Sequence, residues 1–360
     1  MTSSAQTHRR RLSGKVKLIG AASAAVIAAG GTLVLVGPAQ ATRAGHGTAA
    51  GADAAAPAAR TKAAAFAPYL DTSLTPAYDM VDTAKKTPVR NFTLAFLTAG
   101  SGGCDPKWGG SGDLRGDAVA RQIPELRKAG GDVRVSFGGA SGSELGVVCR
   151  SVDALAGAYG KAVDAFKLTK VDFDIEGGAL PDTASNTRRA KAIAALQKKH
   201  PELDVTFTLP VMPEGLTQDG VNLVADAKKN GVKISAVNIM AMDYGASYKG
   251  DMGAYAIQAA TATQRQLKKA LGLGDAAAWK AVAVTPMIGV NDVQSEIFKV
   301  ADAHELVRFA RTKHLGGLSM WSSTRDKPCP GGPRNSAQPT CSSIAQKPLD
   351  FTKAFGAYQG

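Results

Sequence analysis

Between Thr169 and Glu176 the chain alternates apolar and acidic positions, with Val171, Phe173 and Ile175 interleaving Asp172, Asp174 and Glu176. A period of two is that of a strand, so all three acids share one face, about 7 Å apart at each step of two residues. Short apolar runs of the same kind recur at Ala65–Leu70, Phe92–Thr98, Val133–Phe137, Val205–Leu209, Ile234–Met240, Val282–Met287 and Gly317–Trp321. Between them apolar residues recur at spacings of three and four, over Asp117–Ala129, Asp153–Phe166, Ser185–Lys199, Gly220–Asn230, Ala254–Leu271 and Asp302–Lys313. That spacing predicts amphipathic helices, and strand–helix alternation predicts a parallel α/β sheet.

Eight such strands in a chain of 360 residues predict a (β/α)8 barrel of the TIM type rather than a doubly wound sheet. In a barrel alternate residues point inward and the chemistry sits at the C-terminal strand ends. The acidic face then belongs to the fourth strand, with Glu176 nearest the mouth. Ser136-Phe137-Gly138-Gly139 ends the third strand, Met240-Ala241-Met242-Asp243-Tyr244 the sixth and Met320-Trp321 the eighth. Each alone reads as turn glycine or core filler. Gathered at one end of the fold they predict a binding site. Three carboxylates this close repel, and burial raises the pKa of at least one, which suits an acid catalyst. The competing readings are a solvated polar face or a metal site.

Composition sets the compartment. Arg9, Arg10, Arg11, Lys15 and Lys17 precede an apolar run from Leu18 to Val36 and the small-x-small site Ala39-Gln40-Ala41. This predicts a signal peptide over residues 1–41 and export, with no stable membrane association once it is cleaved. Residues 42–61, rich in Ala and Gly, predict a flexible linker, and residues 62–360 one large catalytic domain. The net charge of +13 falls to +8 without the five basic residues of the leader. No aromatic-interleaved basic stripe is present, which argues against nucleic acid. Cys104, Cys149, Cys329 and Cys341 in an exported chain predict two disulfides, with Cys329 and Cys341 paired across a Pro/Gly/Ser-rich loop and Cys104 with Cys149. The five histidines are isolated, and His304-Glu305 lacks the second histidine of a zincin motif, so no metal and no cofactor is expected.

From about Phe66 to Phe355 the chain resembles secreted bacterial chitinases of glycoside hydrolase family 18. Ser136–Gly139 matches the Ser-x-Gly-Gly element, and Asp172, Asp174 and Glu176 match the end of the Asp-x-x-Asp-x-Asp-x-Glu signature. Phe207-Thr208-Leu209-Pro210, Asn238-Ile239-Met240 and Thr285-Pro286-Met287 are similar to segments of one secreted bacterial branch. Two positions depart from the pattern. Thr169 and Lys170 stand where the signature has Asp and Gly, and Met242 stands where the Met-x-Tyr-Asp element has tyrosine, with Tyr244 two residues on.

The resemblance implies hydrolysis of β-1,4 bonds between N-acetylglucosamine units, in chitin or chito-oligosaccharides, by substrate-assisted retention. Glu176 is then the general acid, Asp174 orients the 2-acetamido group, and Asp172 shares a proton with Asp174. Asp243, Tyr244, Met242 and Ser136 are expected to hold the sugar, and Trp321 to form the floor under its ring, with Trp108 a candidate extension of the groove. Three tryptophans in all point to soluble or accessible chains rather than crystalline chitin. The alternatives are an endo-β-N-acetylglucosaminidase acting on N-glycans and a chitin-binding, lectin-like protein with little turnover. A monomer is expected.

Overall fold

The computed structural model describes residues 66–360. The expected signal peptide and linker lie outside the described residues. Eight strands form one parallel sheet in chain order: β1 (Tyr69–Asp71), β2 (Asn91–Ala99), β3 (Asp132–Gly138), β4 (Lys170–Asp174), β5 (Asp204–Met212), β6 (Ala236–Ala241), β7 (Val282–Pro286) and β8 (Gly317–Leu318). The principal helices are α1 (Met80–Lys86), α2 (Ile123–Lys128), α3 (Val152–Phe166), α4 (Thr183–Lys199), α5 (Gln218–Lys229), α6 (Met252–Leu271), α7 (Val300–Lys313) and α8 (Asp350–Phe355).

The closed (β/α)8 barrel expected from the strand count does not form. The sheet curls through about 250° and stays open, its ladder running from β1 to β8 without returning to β1. The edge strands are three and two residues long. The edges touch only at a seam, where Phe66 bridges Leu318 and the Ala67 and Tyr69 N–H groups donate to the Leu318 and Met320 carbonyls. Phe355 of α8 stacks on Phe66 beside that seam, their ring centroids 5.3 Å apart.

The outward face of the sheet explains the apolar half of the alternation. Phe137, Phe173 and Phe207, from β3, β4 and β5, lie in a row with centroids 5.4 and 5.8 Å apart. Tyr159 of α3 meets Phe137 and Phe173 edge-on at 4.9 Å, and all four are buried. Parallel strands roofed by helices must bury this face, which selects the large apolar side chains there. The helices start where polar caps permit: Ser151, Asp182, Thr217 and Asp251 accept from the first-turn N–H groups of α3, α4, α5 and α6. Helices α1 and α8 were not legible as periodic segments, being seven and six residues long.

Both expected disulfides are present, Cys104–Cys149 and Cys329–Cys341. Cys104–Cys149 ties the loop after β2 to the short helix after β3.

Candidate active site

Register places the inward residues in layers. Ser136, Asp172 and Thr206 are neighbours across β3, β4 and β5, and one step higher come Gly138, Asp174 and Thr208. Below them Lys170 is level with Asp204. The polar half of the sequence alternation is therefore an interior column, with Asp172 and Asp174 buried.

Asp172 is held by four hydroxyls. Tyr69 Oη and Ser136 Oγ donate to its Oδ2 at 2.9 and 2.7 Å, and Thr206 Oγ1 and Thr208 Oγ1 to its Oδ1 at 2.6 and 2.8 Å. Asp174 has the opposite surroundings. Burial first, then the Glu176 and Asp172 carboxylates, push its pKa well above the usual carboxylate range. Its Oδ1 is buried without a protein partner. Glu176 lies past the end of β4, where Ile175 N–H still donates to the Thr208 carbonyl and Gly177 turns the chain away with φ 53°. It is half-buried, and burial pushes it from 4.5 up to about 7. The three acids thus divide into one surrounded by hydroxyl donors and two whose pKa burial raises.

The glycines of Ser136–Gly139 make room for this arrangement. A Cβ on Gly138 would sit 2.0 Å from the Asp174 carbonyl oxygen, and one on Gly139 within 2.9 Å of three atoms of the Phe96 ring. Their φ values of 105° and 89° also belong to glycine. Behind this loop a buried ion pair, Glu144–Arg189 at 2.5 Å, anchors it to α4.

An aromatic wall stands beside the acids. Trp321, half-exposed after β8, stacks on Phe96 with centroids 5.6 Å apart and planes 22° apart, and leans on Tyr69 at 6.0 Å. Trp108 is elsewhere. It is buried against Phe166 at 6.1 Å and donates its indole N–H to the Leu114 carbonyl, so it extends no groove.

After β6, Asp243 takes φ 51° and its Oδ1 accepts the Val293 N–H at 2.8 Å. Burial raises its pKa. The buried Glu296 clamps the same turn by accepting from the Tyr244 and Gly245 N–H groups. The buried Arg325 guanidinium acts electrostatically on Asp243 while donating to the Ile288 and Val290 carbonyls. Met242 is half-exposed. Tyr244 packs its ring on Tyr248 and Tyr255, and its buried hydroxyl has no protein partner. Tyr69 of β1 is the tyrosine whose hydroxyl reaches Asp172. Ser136, expected to touch the sugar, is fully buried beneath Asp172. Thr169 faces Asp132, its Oγ1 3.4 Å from the carboxylate, and takes no part in the column.

Tyr69, Phe96, Thr206 and Glu296 were not singled out from sequence, and Thr208 and Asn238 were named only within segments carrying the resemblance, without a role. Hydroxyls at alternate positions of β5 were the available signal for two of them, and the unbroken apolar run Leu94–Leu97, where the ladder register shifts, for Phe96. Among the described residues no group of three or more His, Cys, Asp or Glu side chains is placed to hold a metal ion.

The parallel sheet thus carries buried and rim carboxylates and an aromatic wall at its carboxyl end. No family model matches the chain. It is 39% identical over 280 residues to a probable bifunctional chitinase/lysozyme of Escherichia coli (strain K12), covering 73% of this chain and 31% of that protein. It is 38% identical over 281 residues to Endochitinase 11 of Metarhizium anisopliae, covering 73% of this chain and 52% of that one. The matched region thus spans between about a third and a half of these relatives. Among solved structures, the catalytic domain of a hyperthermophilic chitinase from Pyrococcus furiosus is 35% identical with a TM-score of 0.75, over 82% of this chain and 94% of that one. The chain belongs to glycoside hydrolase family 18. The relatives are bacterial, fungal and archaeal.

Proposed function

We propose that this protein is a chitinase that hydrolyses β-1,4 bonds between N-acetylglucosamine units with retention of configuration. The observation that carries the reading is the split among the three acids. Asp172 is saturated with donors, Asp174 is buried with a free oxygen, and Glu176 at the rim is held at about 7.

In the first step the Glu176 O–H protonates the glycosidic oxygen and the bond from that oxygen to the anomeric carbon breaks. The carbonyl oxygen of the substrate's own 2-acetamido group bonds to the anomeric carbon, giving an oxazolinium ion, so no enzyme nucleophile is required. Asp174 Oδ1 accepts the acetamido N–H, orienting the attack and stabilising the positive charge that develops there. Asp172 and Asp174 share a proton that can move between them as this charge grows and fades. Water then attacks the anomeric carbon, returns its proton to Glu176 and reopens the acetamido group. Trp321, backed by Phe96, offers an apolar plane to the C–H face of the pyranose, and Asp243 and Met242 border the sugar from the β6 side.

The chain is further read as a secreted bacterial enzyme that loses residues 1–41, carries a linker over 42–61 and acts as a monomer. The leader pattern and the two disulfides support export. No helix among the described residues is long and apolar enough to cross a membrane.

Residues 42–360 and the Glu176→Gln variant, incubated with chitotetraose and chitohexaose, test the reading. Cleavage by the first and not by the second is expected, with activity falling as pH rises through about 7, where Glu176 loses its proton. Binding without cleavage by both proteins would overturn it in favour of a lectin. Inactivity on both oligomers with release of glycans from a high-mannose glycoprotein would replace chitin by N-glycans as the substrate.

A further inference from the structure

The turn that carries Asp243 is held from outside its own strand. After β7 the segment 287–298 folds back on itself, Gly289 pairing with Phe298 and Val290 with Ile297. Glu296 closes its bend, accepting the Asn291 N–H on its own carbonyl and donating its N–H to the Val293 carbonyl. The fully buried Glu296 carboxylate then reaches the turn after β6, where each oxygen takes one N–H, that of Tyr244 at 3.1 Å and that of Gly245 at 2.8 Å. From the same segment the Val293 N–H meets Asp243 Oδ1. Asp243 needs this support, because a φ of 51° is one that a residue with a Cβ keeps only where its surroundings hold it.

The other end of the segment is tied to Trp321. Ile288 N–H donates to the Trp321 carbonyl at 3.0 Å, and Trp321 N–H to the Pro286 carbonyl at 2.9 Å. Two buried side chains then take successive carbonyls of the segment in alternation. Asn291 Nδ2 donates to those of Met287 and Gly289 at 2.8 and 3.1 Å, and Arg325 Nη2 to those of Ile288 and Val290 at 3.0 and 2.6 Å. Arg325 Nη1 donates to the Gln338 carbonyl at 2.6 Å, inside the loop closed by Cys329–Cys341, and Val290 N–H donates to the Ser342 carbonyl just past that loop. A buried guanidinium is costly to keep, and this one directs its hydrogen bonds to main-chain carbonyls while Asp292 and Asp243 answer its charge.

Resting on the catalytic reading above, we infer that Glu296 and Arg325 are positioning residues for cleavage: together they fix the segment 287–298 between Trp321 and Asp243, and so set where Asp243 stands relative to the ring plane that receives the sugar. Two charge-assisted bonds from one carboxylate fix both the place and the tilt of the Asp243 turn. The planar fork of Arg325 fixes the direction of the segment as well as its distance, which a lysine ammonium does not.

A double-mutant cycle with Asp243 tests the assignment. Glu296→Gln keeps the shape but offers one acceptor to two N–H groups. Its kcat/KM on chitohexaose should fall about tenfold, and amide exchange followed by NMR should quicken at Tyr244 and Gly245 while the sheet amides keep their protection. Arg325→Lys should lower kcat/KM by roughly fivefold and serves if Glu296→Gln does not fold. In the Asp243→Ala background either change should cost less than about twofold more, since residues that act through one another are not additive, whereas a general loosening of the fold would multiply the losses. Full multiplication, or unchanged cleavage and exchange in a folded Glu296→Gln protein, overturns the proposal. So does an Asp243→Ala protein as active as the unmodified one. Absence of oligosaccharide cleavage by the unmodified protein overturns the catalytic reading instead. The same cycle read by calorimetric binding of chitohexaose in the Glu176→Gln background, with the exchange data, then still decides the roles of Glu296 and Arg325.

Discussion

Replacing Glu176 by Gln should stabilise the protein, and only above a certain pH. Burial raises the Glu176 pKa from 4.5 to about 7 in the folded state. Between those values the folded protein keeps a proton that the unfolded chain has released, so native stability falls as pH rises through this window and levels off above it. The full shift corresponds to about 3 kcal/mol at 1.36 kcal/mol per pH unit. Glu176 is only half-buried and shares its environment with Asp174, so water and the neighbour take part of this and about 2 kcal/mol is expected. Gln keeps the shape and hydrogen-bonding capacity of the protonated acid and never ionises. In a domain of this size about 2 kcal/mol raises the melting temperature by roughly 3 °C. Thermal and urea unfolding of both oxidised proteins at pH 4, 5.5, 7 and 8 measures the gap. It should be near zero at pH 4, open through the middle values and reach its plateau by pH 8, while activity is lost throughout. A gap independent of pH, or a variant less stable at pH 8, would refute the view that a strained carboxylate stands at the rim.

Three further outcomes follow from the geometry. Gly138→Ala should lower stability by roughly 3 kcal/mol or more and abolish cleavage, because its Cβ would lie 2.0 Å from the Asp174 carbonyl oxygen at a φ of 105°. Chemical unfolding and oligosaccharide assays check both effects. Trp321→Ala should weaken oligosaccharide binding about tenfold, near 1.4 kcal/mol, with kcat affected less, as calorimetry on the Glu176→Gln background can measure. Opening Cys329–Cys341 by double serine replacement should destabilise by about 3 kcal/mol, and opening Cys104–Cys149 by about 4 kcal/mol, since the bridges span 12 and 45 residues. Denaturant midpoints of the two variants should keep that order.

Local patterning carried a large part of this protein into view. Alternation over Val171–Glu176 placed three acids on one face and three apolar side chains on the other, because side chains of a strand point alternately to its two sides. The same periodicities placed the eight strands and six helices of useful length, and the cysteine spacing placed both disulfides. Helices α1 and α8, seven and six residues long, were not picked out.

What the chain pattern left open was decided by contacts between distant segments. Closure of the sheet depends on how its first and last strands meet, and there the ladder gives way to a short seam, a matter of edge geometry that a strand count ignores. Which acid is surrounded by donors depends on Tyr69, Ser136, Thr206 and Thr208, up to 103 residues from Asp172 and gathered round it by the register of neighbouring strands. The fate of Trp108 and Trp321, one buried and one at the site, likewise follows from which rings meet them. The sequence by itself determined which residue types stand at which alternation. Tertiary structure decided their ionisation and partners, because burial and hydrogen-bond donors act through space.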